Sequence, residues 1–106
     1  MAKHILMALN GAKPGEEAEF ERWYDEVHIP EILSVPGFVS ARRFRIVNTN
    51  VQGGGGWSNM SLYEIETDDL PGALGALQGA LGPLTPAMDA SASANLIGSE
   101  IRIFTA

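Results

Sequence analysis

The chain contains no cysteine among its 106 residues. That excludes a disulfide framework, a thiolate nucleophile and any cysteine-based zinc site. Histidine is nearly as scarce: two imidazoles are too few for a histidine-rich centre, and no metal is expected. Positive charge is short as well, with seven Lys and Arg against thirteen Asp and Glu and a formal net charge of −6. A nucleic-acid reader needs a basic face to displace counterions from phosphates, and the one basic cluster, Arg42, Arg43 and Arg45, does not supply it. The apolar run His4–Leu9 is too short for a membrane span or for the hydrophobic centre of a leader peptide, and it carries a histidine. It reads as a strand, and the expected location is the cytoplasm, with no membrane partner.

What remains is a chain with 45% apolar and 19% charged residues, enough to bury a core and too weakly charged to stay unfolded. Its length suits one domain spanning residues 1–106. After the first strand, Asn10-Gly11 and Pro14-Gly15 mark turns. From Gly15 the period changes: Phe20, Trp23, Tyr24 and Val27 follow i, i+3, i+4, i+7, the signature of an amphipathic helix. Proline disfavours helical geometry in the residue before it, so Ile29-Pro30 is expected to end or kink that helix near His28, with a short further turn over residues 30–35. A Pro-Gly turn at 36–37 leads to a second strand over 39–47.

Four consecutive glycines, 53–56, make a hairpin loop; no Gly-Lys-Ser/Thr follows them, so a phosphate-cradling role has little support. A third strand is expected over 57–66. Asp68 or Asp69 can then cap a second helix whose Leu70, Leu74, Leu77 and Leu81 share one face. Its glycines, 72, 75, 79 and 82, imply a mobile helix or one pressed closely on a neighbour. A small-residue, proline-punctuated segment over 83–95 precedes a fourth strand over 96–105. The order β-α-β-β-α-β predicts an α+β, ferredoxin-like fold with a four-stranded antiparallel sheet. Two helices cover one sheet face, yet Ile5, Met7 and Leu9 alternate with Leu6 and Ala8, and Ile101 and Ile103 with Phe104. The second apolar face predicts a homodimer joined sheet to sheet.

The chemistry concentrates around the first helix. Tyr24 and His28 lie four apart, on the face that must look toward the sheet. An imidazole there is a candidate general acid or base, and the Tyr24 phenol a candidate to polarise a substrate oxygen; His28 could equally cap a broken helix through a nearby carbonyl. Asp25 could orient His28 or stay solvated. Arg43 could clamp a substrate oxygen, or pair across the sheet with Glu64, Glu66 or Glu100. Trp23, Trp57 and Tyr63 are core residues by default, or the walls of an aromatic-lined cavity that Asn59 and Ser61 would also enter.

The stretch FERWYDEVHIPEILSVPGFVSARRFRI, residues 20–46, resembles the dimeric α/β-barrel superfamily and, within it, the EthD-like small proteins. They share an aromatic-rich first helix, a histidine followed closely by proline, and a Pro-Gly turn into the second strand. The resemblance implies a dimeric α/β barrel with a ligand held between helices and sheet in each subunit, and an acid-base role for His28. The superfamily spans muconolactone-type isomerases, polyketide cyclases, cofactor-independent monooxygenases, aldoxime dehydratases and haem-binding degraders. Haem would need a proximal histidine from elsewhere, and the second half of the chain has none. The expected activity is therefore cofactor-independent proton transfer on a small apolar, cyclic or aromatic oxygenated metabolite, of isomerase, cyclase or lyase type. His28 and Tyr24 would be catalytic, with Arg43, Trp23, Trp57, Asn59 and Tyr63 binding substrate. The alternative is a noncatalytic dimeric ligand-binding or accessory protein of a catabolic pathway, such as one acting on aromatic compounds.

Overall fold

Period-two alternation decides the sheet. In the computed structural model, which describes residues 1–106, β1 (Lys3–Asn10) buries Leu6, Ala8 and Asn10 and turns Ile5 outward. β3 (Asn59–Glu66) buries Asn59, Ser61, Tyr63 and Ile65 by the same alternation. With β2 (Phe38–Arg45) and β4 (Ala94–Ser99) they form a four-stranded sheet of order β2-β3-β1-β4. Every neighbouring pair is antiparallel, which is the ferredoxin-like arrangement predicted from the element order.

One helical rod runs from Glu17 to Leu33, in three parts: α1 (Glu17–Trp23), a π-helical turn (Tyr24–His28) and α2 (Ile29–Leu33). Pro30 does not end the helix as expected; the interruption near His28 is a wide turn, after which a short further helix carries Pro30 in its first turn. The wide turn explains why. The Ile29 amide reaches back five residues to the Tyr24 carbonyl, so the backbone opens just before Pro30, which has no N–H to give and whose ring would crowd a regular turn. The helix continues and buries Ile32 beyond the proline.

The Pro-Gly turn is present, with Gly37 at φ 97°, where a side chain would be strained. α3 (Leu70–Ala80) starts as predicted: the Asp69 carboxylate accepts from the Gly72 amide at 3.0 Å, and Pro71 lies in the first turn. Its leucine face packs on the sheet. Leu77 is buried, and Leu70, Leu74 and Leu81 lie against a core of Leu6, Ile32, Val35, Phe38, Tyr63 and Ile65. Burying a side chain such as Ile65, which is wholly enclosed, stabilises the fold by about 2 kcal/mol. The glycines divide: at Gly75 and Gly79 nothing lies within 4 Å of where a Cβ would sit, whereas at Gly72 and Gly82 a Cβ would run into the carboxylates of Asp69 and Glu31.

A second cluster, Phe20, Trp23, Tyr24, Ala87 and Met88, closes one end of the layer. There the segment before β4 runs beside the end of β1, with Asp89 N–H donating to the Gly11 carbonyl at 2.9 Å. β4 occupies 94–99 rather than 96–105, and Ile101, Ile103 and Phe104 project from the chain end with most of their surface exposed. The two-faced argument therefore rests on the sheet itself. Ile5, Met7, Leu62, Met60, Phe44 and Leu96 occupy the face away from the helices. No helix is long and apolar enough to cross a membrane.

Candidate functional site

His28 closes the π-helical turn, and its ring lies among the aromatic residues that precede it. The imidazole stacks on the Trp23 indole at 4.4 Å between centroids and 19° between planes. It meets the Tyr24 ring edge-on at 5.1 Å. It does not cap α2, so the helix-capping alternative falls away. Partial burial among these rings pulls its pKa below 6.5, and the charge of Glu31 only partly opposes that. The imidazole is accordingly neutral at pH 7, the form that can accept a proton.

His28 looks into a cavity of about 420 Å³ between the helical layer and the sheet. Its walls are mostly aliphatic, from Leu6, Ile32, Leu74, Leu77 and Leu81 among others, and its polar groups are Asn10, His28, Tyr63, Gln78, Ser93 and Asn95. A hollow of similar size, about 430 Å³, lies toward the start of β1 and is lined by Glu64, Glu66, Glu100 and the projecting Ile103. Two buried side-chain atoms in the chain lack a hydrogen-bond partner, Tyr63 OH and Glu31 Oε1, and neither residue borders that second hollow. Tyr63 borders the first.

The Tyr63 side chain comes from the middle of β3 and is enclosed. No group meets hydrogen-bond geometry with its hydroxyl. Burial pushes its pKa well above the usual phenol range, and the neighbouring Tyr24 hydroxyl pushes the same way. It stays protonated, a buried donor beside the Tyr24 and Ser61 hydroxyls, neither of which it meets in hydrogen-bond geometry. Leaving such a donor unpaired costs about 1–3 kcal/mol.

The other residues singled out from sequence are placed differently. Tyr24 is completely buried behind His28, its hydroxyl accepting from Asn10 Nδ2 at 3.1 Å, and it does not border the cavity. Arg43 lies over the Tyr24 ring at 4.6 Å. It pairs with Glu21 at 2.7 Å and Asp25 at 2.6 Å, and its Nε donates to Asn59 Oδ1 at 3.0 Å. It therefore bonds neither Glu64, Glu66 nor Glu100, and Asp25 holds Arg43 rather than His28. The reason is geometric: Arg43 stands opposite Ser61 on the helix-covered face, whereas Glu64 and Glu66 alternate onto the other.

Asn59 is a buried strut, donating to Asn10 Oδ1 at 2.9 Å and to Ser61 Oγ at 3.0 Å. Trp23 supports His28 from the side away from the cavity lining, and Trp57 packs beside Gly54 in the hairpin loop. Of the proposed set, His28 and Tyr63 share the cavity; Trp23, Tyr24, Arg43, Trp57 and Asn59 do not line it. Asn10 was missed because it reads as the start of a turn. The signal was its place two residues after Ala8, on the same strand face as Leu6.

No family model matches the sequence, and no curated protein matches it. Solved structures do match in shape. An EthD family protein from Bacillus halodurans is 20% identical, with 95% of this chain and 100% of that one covered and a TM-score of 0.55. A dimeric ferredoxin-like protein from an uncultured marine organism is 15% identical over 99% of this chain and 92% of that one, with a TM-score of 0.62. The chain has the fold of the EthD-like, dimeric ferredoxin-like proteins. A third protein of this fold, a monooxygenase from Streptomyces coelicolor in complex with nanaomycin D, is 14% identical, with 99% and 92% of the two chains covered and a TM-score of 0.51.

Proposed function

We propose that this chain is a small-molecule enzyme in which neutral His28 removes a proton from an apolar, cyclic or aromatic oxygenated substrate. The observation that carries the reading is the pairing, on one largely aliphatic cavity, of an uncharged imidazole with Tyr63, whose hydroxyl meets no group in hydrogen-bond geometry. A volume of about 420 Å³ lies in the ordinary range for small-molecule sites, roughly 300–1,000 Å³. The proton moves from a substrate C–H or O–H to an imidazole nitrogen. The electron pair left behind settles on the substrate oxygen, to which Tyr63 donates a hydrogen bond. Returning the proton to another carbon completes an isomerisation, and expelling a leaving group completes a lyase reaction; neither route needs a cofactor.

The same first step serves oxygenation, in which the substrate anion itself supplies the electrons that reduce dioxygen, one oxygen atom entering the product and the other leaving as water. The likeness to the Streptomyces monooxygenase supports including that route. Two copies joined through their exposed sheet faces would form the assembly, a reading favoured by Ile5 and Leu96, which are 41% and 57% exposed, and by dimeric neighbours of the same fold.

The test is turnover of lactones, phenols and hydroquinones under air and under nitrogen, in the wild type and in His28→Gln. Loss of turnover with retained ligand affinity supports acid-base catalysis. Ligand bound and released unchanged by the wild type would favour the noncatalytic, accessory alternative. Turnover that requires air would assign the oxygenase route.

A further inference from the structure

Glu31 lies three residues after His28, in the first turn of α2. One carboxylate oxygen, Oε2, accepts from the Gly82 amide at 2.7 Å, a contact so close that a Cβ at Gly82 would stand 2.7 Å from it. The other, Oε1, is buried and has no partner. A fixed carboxylate with one free buried oxygen is costly, because its desolvation is compensated on one side only. On the preceding turn stands an imidazole that makes no capping bond and must become a cation if it takes a proton. Residues three apart on a helix are neighbours on its surface. Nothing in the neutral state uses Oε1.

We propose that Glu31 is the positioning residue of the acid-base centre, its free carboxylate oxygen stabilising the imidazolium that forms when His28 takes a proton. The inference rests on the acid-base reading of His28 and deepens it. The charges around the ring single out Glu31. Trp23 and Tyr24 on its own helical rod carry none, nor do Asn10 from β1, Tyr63 from β3 or Gln78 from α3. Arg43 lies across the Tyr24 ring and is engaged by Glu21 and Asp25. Glu31 already pulls His28 toward protonation against the opposing effect of burial. The bond to Gly82 keeps the carboxylate from swinging into solvent and ties it to the segment that carries Leu81 and Leu84 on the cavity wall. Charge stabilisation and cavity closure therefore share one side chain.

The experiment is an NMR titration of the ligand-free protein, following the imidazole Cε1–H signals in wild type, Glu31→Gln and Glu31→Asp. With only His4 and His28 present, His28→Gln assigns the two signals, and His4 is the internal control. Gln keeps an acceptor for the Gly82 amide while removing the charge, and Asp keeps the charge on a shorter arm. The His28 inflection should fall by about half a pH unit in Glu31→Gln, as expected for loss of a partly solvated opposite charge, with His4 unmoved. Glu31→Asp should lie between that variant and wild type. The inflection of the pH-rate profile should shift in the same direction.

Identical His28 titration in all three proteins overturns the proposal, even if turnover falls, since that fall would then be structural. If His28→Gln loses turnover while Glu31→Gln leaves the titration unchanged, the acid-base reading survives and this one does not. Unchanged turnover in His28→Gln sinks the reading on which this rests, whatever the titration shows.

Discussion

His28 and Tyr63 face the same cavity from different layers, the imidazole from the helical rod and the phenol from the centre of the sheet. Their ionisation is displaced in opposite directions by burial: the imidazole is held below 6.5 and the phenol above its usual range. Both are neutral at pH 7, one as an acceptor of protons and the other as a donor.

That pair fixes a pH dependence. kcat/KM should rise through a single inflection below pH 6.5 and then stay level to about pH 10, because Tyr63 does not ionise in that range. His28→Gln should lower kcat by about 100-fold or more, the ordinary scale of a lost general base. Stability follows the same group. Between its folded pKa and 6.5 the unfolded chain binds more protons than the folded one, so His28 adds stability that is complete above 6.5 and is lost as pH falls through the folded value. Urea titrations at pH 5 and pH 7 should show a larger acid loss in the wild type than in His28→Gln. An equal loss would count against a buried neutral imidazole.

Tyr63→Phe separates catalysis from architecture. The variant removes a hydroxyl that meets no group in hydrogen-bond geometry, so the melting temperature should hold or rise slightly. Removing the hydrogen bond to a developing oxyanion should cost about 100-fold in kcat. A large fall in melting temperature together with full turnover would show that the hydroxyl is structural.

The exposed sheet face predicts the assembly. Leu62 pairs with Met7 and Arg42 in the middle of that face, so Leu62→Glu would bury a charge between two copies. Light scattering should give a dimer for the wild type and a monomer for Leu62→Glu, with the far-ultraviolet circular dichroism unchanged. A wild type that is monomeric at all concentrations would contradict the sheet-to-sheet arrangement.

The fold was largely legible because its signals are local and periodic: alternation in β1 and β3, the leucine face of α3, the cap at Asp69. The site was legible only in part. His28 and Tyr63 could be nominated as chemistry on inward faces. Which inward residue reaches the cavity depends on depth, and depth is set by neighbours distant in sequence. Tyr24 is on the correct face, yet Asn10 and Arg43 hold it behind the cavity lining. Arg43 reads as free to meet a ligand because its partners, Glu21 and Asp25, are distant in sequence on the first helix, and no local pattern sets which strand residue they reach. The sequence places β4 too late because residues 101–105 alternate as a strand would, although pairing with β1 ends where the Glu100 amide donates to the Lys3 carbonyl at 2.9 Å.

Gly75 and Gly79 offer a separate check on the packing. Both lie on the exposed side of α3 with open space beside their Cα atoms. Gly75→Ala and Gly79→Ala should each stabilise the protein, by up to about 1 kcal/mol, through helix propensity and a less flexible unfolded chain. Chemical denaturation measures this, and a loss of stability in either variant would mean that the helix packs against something the single chain does not contain.

The π-helical turn also sets an angular phase. One residue more than a regular turn needs rotates everything after it by about 100° relative to an uninterrupted α-helix. Phe20 and Trp23 before the turn and Ile32 after it point into the interior with that offset in place. Closing the wide turn without shortening the chain would therefore act as a rotation: a regular α-helix through Tyr24–His28 would carry Ile32 toward solvent. In this rod the number of residues between Trp23 and Ile32 matters as much as their identity.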